Sequence, residues 1–156
     1  MLRRTMILST LVLSPLTSAH NLAGCWSGPG WVTLVGMGKQ ACARIAIKHE
    51  FSTTGLVMKA LAMDCPNFDR SWEEKVFEIR NGNEIWGGDA EKAILGTLDK
   101  DAYWFDDPQN AVQFIEYKAD RNPSTGRMTW LESFASTQKI YWKVEGELSP
   151  VACEGL

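Results

Sequence analysis

The chain has 156 residues, with 16 Lys+Arg against 19 Asp+Glu and a formal net charge of −3. Its length suits one domain, and a 45% hydrophobic content with seven tryptophans is enough for a sizeable core. Mild acidity argues against a nucleic-acid or anionic-lipid footprint, and no apolar run is long enough for a transmembrane helix.

Residues 1–19 read as an export signal. Arg3 and Arg4 precede a short apolar core over 6–16, and Thr17-Ser18-Ala19 offers the small residues that signal peptidase needs. That core is too short to anchor the chain in a bilayer. The mature chain is then one domain over 20–156, and loss of the two arginines moves the net charge from −3 to −5.

From residue 22 onward the pattern is one of short strands separated by turn residues, with no helix-length amphipathic run. A first strand over 22–35 breaks at Gly36-Met37-Gly38. Residues 41–51 alternate, with Ala43, Ile45, Ile47 and His49 on one face and Cys42, Arg44, Ala46 and Lys48 on the other. Ser52-Thr53-Thr54-Gly55 turns the chain, 56–65 returns, and Pro66-Asn67-Phe68-Asp69 ends that strand. Strands over 74–80 and 84–88 flank Asn81-Gly82-Asn83, the strongest short hairpin signal in the chain. Strands over 93–98 and 102–105 meet at Asp99-Lys100-Asp101, and 106–110 reads as a loop. The last three strands lie at 112–118, 128–135 and 140–148. Met128, Trp130, Glu132 and Phe134 share one face; Ile140, Trp142, Val144 and Leu148 share another. The fold predicted is all-β, an antiparallel up-and-down barrel of about 8–10 short strands.

Four cysteines after the signal are an even number in an oxidising compartment, with three possible connectivities. Cys42 and Cys65 flank a hairpin-like unit, while Cys25 and Cys153 lie near the two ends of the mature chain. That layout favours Cys42–Cys65 and Cys25–Cys153, because the first and last strands of a closed barrel are neighbours. The spacings are too wide for a zinc knuckle.

The run Leu22-Ala23-Gly24-Cys25-Trp26-Ser27-Gly28-Pro29-Gly30 resembles the opening strand of calycin-type barrels, the lipocalin and nitrobindin-like group. The resemblance implies that Trp26 closes the barrel floor and that the glycines let the chain bend across it. The continuation through Cys42, Arg44, Gly55 and Cys65 is similar to small exported barrel proteins of proteobacteria. It covers residues 22–66; beyond them only the strand pattern agrees. No histidine follows His49, so the haem ligand of nitrobindin-like barrels does not carry over. The basic residue that packs over the first-strand Trp in lipocalins would be Arg127 or Lys143, and no flanking motif selects one. Leu22-Ala23-Gly24-Cys25 also resembles a bacterial lipobox, which would make Cys25 a lipid anchor. Lipidation would leave an odd cysteine and put the anchor inside the first strand. A periplasmic or secreted protein is therefore expected over a membrane-anchored lipoprotein.

The sharpest candidate site is the pair Glu116 and Glu132. If the intervening turn centres near Pro123 and Ser124, the two carboxylates sit opposite each other on an apolar-lined face, and one pKa rises. Arg44 would instead neutralise one glutamate as a structural ion pair. Trp26, Arg44, Glu116, Trp130 and Glu132 are the candidate binding residues. His20, the first residue after the expected cleavage, would need His49 as partner to hold copper; otherwise it is a disordered terminal residue and His49 a solvent-edge one. The remaining aromatics read as core packing more readily than as a sugar or ligand cavity. No nucleophile elbow, phosphate loop or metal-spaced cluster is present, so no catalytic residue, metal or cofactor is assigned. The function expected is an exported binding module for a small apolar or amphipathic ligand or an envelope partner. The alternatives are a small acid/base enzyme using Glu116 and Glu132, and a filled barrel with a structural or interaction role.

Overall fold

Alternation of buried and exposed residues runs through most of the chain, and each alternating run forms a strand with one face turned inward. In the computed structural model, which describes residues 20–70, 72, 74–87, 93–154 and 156, there are ten strands. They are β1 (Gly24–Leu34), β2 (Gly38–Phe51), β3 (Gly55–Asp64), β4 (Lys75–Arg80) and β5 (Glu84–Gly87), then β6 (Ala93–Leu98), β7 (Ala102–Pro108), β8 (Gln113–Arg121), β9 (Met128–Ser136) and β10 (Ile140–Val151). The expected export signal at 1–19 lies outside the described residues.

Each strand pairs antiparallel with the next, and β1 pairs with β10, so the sheet closes into an all-β up-and-down barrel. Closure leaves no edge strand unpaired. Among the described residues no helix is long and apolar enough to cross a membrane. The Asn81-Gly82-Asn83 hairpin forms as expected between the paired Arg80 and Glu84, with Asn81 and Gly82 in the left-handed conformation at φ of 51° and 77°. The turns after β1, β7 and β9 lie at one end, here the upper end; those after β2, β4, β6 and β8 lie at the lower end.

Both expected disulfides form. Cys25–Cys153 ties β1 to the chain just beyond β10, with Cα atoms 5.3 Å apart, and Cys42–Cys65 ties β2 to the end of β3 at 4.1 Å. The Cys25 sulfur is thus engaged within the fold.

The interior is built in rows of directly paired residues. Tyr103, Ala119, Trp130, Gly146 and Gly30 form one row. The fully buried Trp130 fits there because its row neighbours are small. A Cβ at Gly30 would collide with Ile45 and with the Glu145 carbonyl, so that position admits only glycine. The next row upward is Phe105, Tyr117, Glu132, Val144 and Val32, and above it lie Asp107, Ile115, Phe134, Trp142 and Leu34. Rings occupy the middle of the barrel, with Phe77–Phe105, Phe105–Tyr117 and Tyr103–Phe105 centroids 4.6, 5.1 and 5.5 Å apart.

One expected loop is strand. Asp106, Asp107 and Pro108 pair with Glu116, Ile115 and Phe114 as the end of β7. Acidic and proline residues are turn formers by composition, but here Asp107 faces inward, paired with Lys75 from β4 at 3.4 Å. Proline, which gives up a ladder hydrogen bond, is tolerated at the strand's last position.

Candidate functional site

The upper interior carries a buried charge. Glu132, on the inward face of β9, has no exposed surface. Arg70, from the stretch after β3, reaches its Oε1 with Nε at 3.1 Å and Nη2 at 2.8 Å. Trp72 Nε1 donates to Oε2 at 3.1 Å. Burial pushes the Glu132 carboxyl above its ordinary value, and the charge and hydrogen bonds of Arg70 and the Trp72 bond oppose that push. Arg70 also lies over the Trp142 ring at 4.6 Å, and its side chain stays 25% exposed. The guanidinium is therefore held between a carboxylate below and an aromatic face beside it.

Tyr117 pairs with Glu132 across β8 and β9 and shares its inward face. Its hydroxyl is buried and its proton meets no acceptor among the described residues, while Arg70 approaches the oxygen as a donor. Burial, then the Glu132 charge, raises the Tyr117 pKa, so the hydroxyl stays protonated and available as a donor. The Trp72 ring stands edge-on to Tyr117 at 6.4 Å. An aromatic row borders this region, with Phe68–Trp142 at 5.2 Å, Trp142–Phe134 at 6.3 Å and Phe134–Tyr141 at 4.9 Å.

A second buried polar group sits in the lower interior. His49 Nδ1 contacts the Leu22 carbonyl at 3.3 Å and Nε2 contacts the Tyr103 hydroxyl at 3.0 Å. Leu22 O only accepts, so Nδ1 carries the proton and Nε2 accepts from Tyr103. Burial lowers the His49 pKa to about 4, against a smaller rise from the Leu22 bond, and the ring is neutral. Trp26 Nε1 donates to the same Leu22 carbonyl at 2.8 Å. This cluster is fully satisfied and serves to pin the segment before β1 under the barrel.

The structure separates the two glutamates. Glu116 pairs with Ser133, and Glu132 with Tyr117, one residue away from the expected register. The turn closes on the Arg121–Met128 pair, with Asn122 N bonded to the Arg127 carbonyl, rather than on Pro123–Ser124. A one-residue offset sends a side chain to the other face. Glu116 thus lies on the outer wall, accepting from Trp104 Nε1 at 3.0 Å and Ser133 Oγ at 3.2 Å. Its neighbour Asp106 has a raised pKa, from burial first and the Glu116 charge second. The pair cannot share a proton through the barrel wall.

The other candidates scatter. Trp26 and Trp130 are buried in the interior, Trp26 low and Trp130 one row below Glu132. Arg44 is outside, paired with Asp64 at 3.0 Å and with neither glutamate. Arg127 and Lys143 pair with Glu147 and Glu145, and no cation stands over Trp26 among the described residues. His49 is not a solvent-edge residue: its alternation with Ile45 and Ile47 carries it inside. His20 is ordered, stacked on Phe51 at 4.5 Å with Nδ1 3.1 Å from the Asp99 carbonyl. Among the described residues no cluster could hold a metal ion.

Arg70 escaped the sequence reading, and Trp72 and Tyr117 entered it only among the aromatics weighed as core packing against a ligand or sugar cavity. Tyr117 was accessible through its alternation with Ile115 and Ala119. Arg70 and Trp72 lie where turn residues ended the strand pattern, and nothing local signals that such a stretch contacts a buried carboxylate. No family model, curated protein or solved structure matches the chain.

Proposed function

We propose that the protein is an exported, calycin-like binding module whose site is the upper mouth of the barrel. Its ligand is a small amphipathic molecule with a head group rich in acceptor oxygens. The Tyr117 hydroxyl, whose proton has no acceptor among the described residues, carries this reading. A buried hydroxyl whose proton finds no acceptor costs about 1–3 kcal/mol, and a ligand oxygen in the place of the Trp72 indole would offset that cost. Arg70 uses Nε and Nη2 on Glu132, which leaves Nη1 for the same head group. The Phe68, Trp142, Phe134 and Tyr141 rings would receive the apolar part. Glu132 is then a positioning residue that holds Arg70. Two disulfides support an extracellular or periplasmic setting.

The test is tryptophan fluorescence during titration with dodecanoate, lysophosphatidylcholine and, as a head-group control, dodecylamine. An oxygen-headed ligand should quench, and Tyr117→Phe should weaken its binding about tenfold, the loss of one hydrogen bond involving a charged neighbourhood. Absence of quenching by both oxygen-headed ligands, or equal affinity in Tyr117→Phe, refutes the reading. The ring-filled middle of the barrel favours a second reading, an interaction protein without a ligand, which that negative result would select.

A further inference from the structure

Two cations enter the upper interior, and each meets one carboxylate. Arg70 Nη2 lies 2.8 Å from Glu132, whose side chain has no exposed surface. Lys75 Nζ lies 3.4 Å from Asp107, whose side chain is 18% exposed. The two pairs share one space. Lys75, at the start of β4, stands two residues before Phe77, whose ring meets those of Phe105 and Tyr117 at 4.6 and 6.0 Å. Asp107 stands two residues beyond Phe105 on β7. The Lys75 charge reaches Glu132, and the Asp107 charge reaches Tyr117. Glu132 and Asp107 are the only charged residues in the two interior rows that carry them.

Positive and negative charges are therefore matched one to one inside the mouth. Its surroundings add no free cation. Asp69 directly precedes Arg70 and Glu74 directly precedes Lys75, both exposed, while the exposed Lys139 is engaged on the Tyr141 ring at 4.7 Å. A buried ion is tolerated beside an opposite charge that is not already neutralised. A monoanionic head group would leave the interior with one negative charge in excess. The hydrogen-bond donors require less than an anion. Tyr117 offers one hydroxyl proton and Arg70 keeps Nη1, and a neutral carbonyl oxygen has two lone pairs to accept from both.

We infer that the head group is an uncharged carbonyl, an ester or amide, and that the matched interior charges exclude free carboxylates. The inference rests on the ligand reading and narrows it. Tyr117 and Arg70 Nη1 bind the carbonyl oxygen, and Asp107 determines specificity by neutralising Lys75. Without the Asp107 charge, Lys75 would be a cation ready to receive a carboxylate. Lysophosphatidylcholine, with an acyl ester carbonyl and no net charge, belongs to the accepted class.

Tryptophan fluorescence at neutral pH, with monododecanoylglycerol and dodecanoate below their micelle concentrations, tests it. The two probes share an acyl chain and differ in head-group charge. Wild type should bind monododecanoylglycerol at least about tenfold more tightly than dodecanoate. Asp107→Asn keeps an oxygen acceptor for Lys75 and Gln109 but removes the negative charge, and should lower that ratio of affinities about tenfold. Lys75→Gln, which removes the cation instead, should not lower it. Circular dichroism reports the fold of each variant. Equal affinity of wild type for the two probes, or an unchanged ratio in folded Asp107→Asn, overturns the inference, while the quenching itself upholds the ligand reading. Absence of quenching by monododecanoylglycerol, lysophosphatidylcholine and dodecanoate alike refutes both.

Discussion

Acid should destabilise the protein through His49. The ring is buried and neutral, with a pKa lowered from 6.5 to about 4. In the unfolded chain the same imidazole takes up its proton near pH 6.5. Between those two values the unfolded state binds more protons than the native one, so stability falls as pH falls. The slope approaches about 1.4 kcal/mol per pH unit, and the loss between pH 7 and pH 4 integrates to about 3 kcal/mol. Glu132 works in the opposite sense: its raised carboxyl pKa gives the native state extra proton affinity, so that group loses stability as pH rises through its window. His49→Gln separates the two. The amide nitrogen of glutamine donates to the Leu22 carbonyl and its oxygen accepts from Tyr103, so the contacts survive without a titrating ring. Guanidinium unfolding followed by tryptophan fluorescence at pH 7 and pH 4 gives the two stabilities. Wild type should lose about 3 kcal/mol more than His49→Gln over that interval. Equal losses in the two proteins would show that His49 does not set the acid response.

Two further stability predictions follow from covalent and ionic pairing. Replacing Cys25 and Cys153 together by Ser removes a link across 128 residues and should cost about 4–5 kcal/mol, read as a lower denaturation midpoint that reductant no longer changes for that bridge. Arg70→Ala leaves the Glu132 carboxylate buried without its cation and should cost about 3–5 kcal/mol, whereas Arg70→Ala with Glu132→Leu should recover much of that loss in the same assay. A double variant no more stable than Arg70→Ala would mean that Arg70 acts by packing on Trp142 rather than by compensating charge.

Fold class was legible because strand formation depends on a period of two and on turn residues, both local. Alternation over β2, β9 and β10 and the Asn81-Gly82 hairpin carried most of it. The disulfides followed from closure, since a meander that closes must bring Cys25 and Cys153 together. The site was less legible because it depends on register. Glu116 and Glu132 are separated by a single residue of offset in one turn, and the composition of 120–126 does not determine where that turn closes. Arg70 and Trp72 are harder still: their contact with Glu132 joins positions about sixty apart through the interior, and no short-range pattern encodes it. His49 shows the reverse error, since its alternation with Ile45 and Ile47 outweighed its polarity.

An even number of antiparallel strands returns the chain to the pole from which it set out. His20 is held against Asp99 in a lower turn, and Cys153 is joined to Cys25 at the same end. Both ends of the described chain therefore lie away from the upper mouth. With eleven residues in β1 at roughly 3.3 Å each and the tilt usual in barrels, the two poles stand roughly 30 Å apart. The upper mouth and both ends of the described chain thus stand at opposite poles, so a label or fusion placed beside His20 or Cys153 leaves the Arg70–Glu132 region clear.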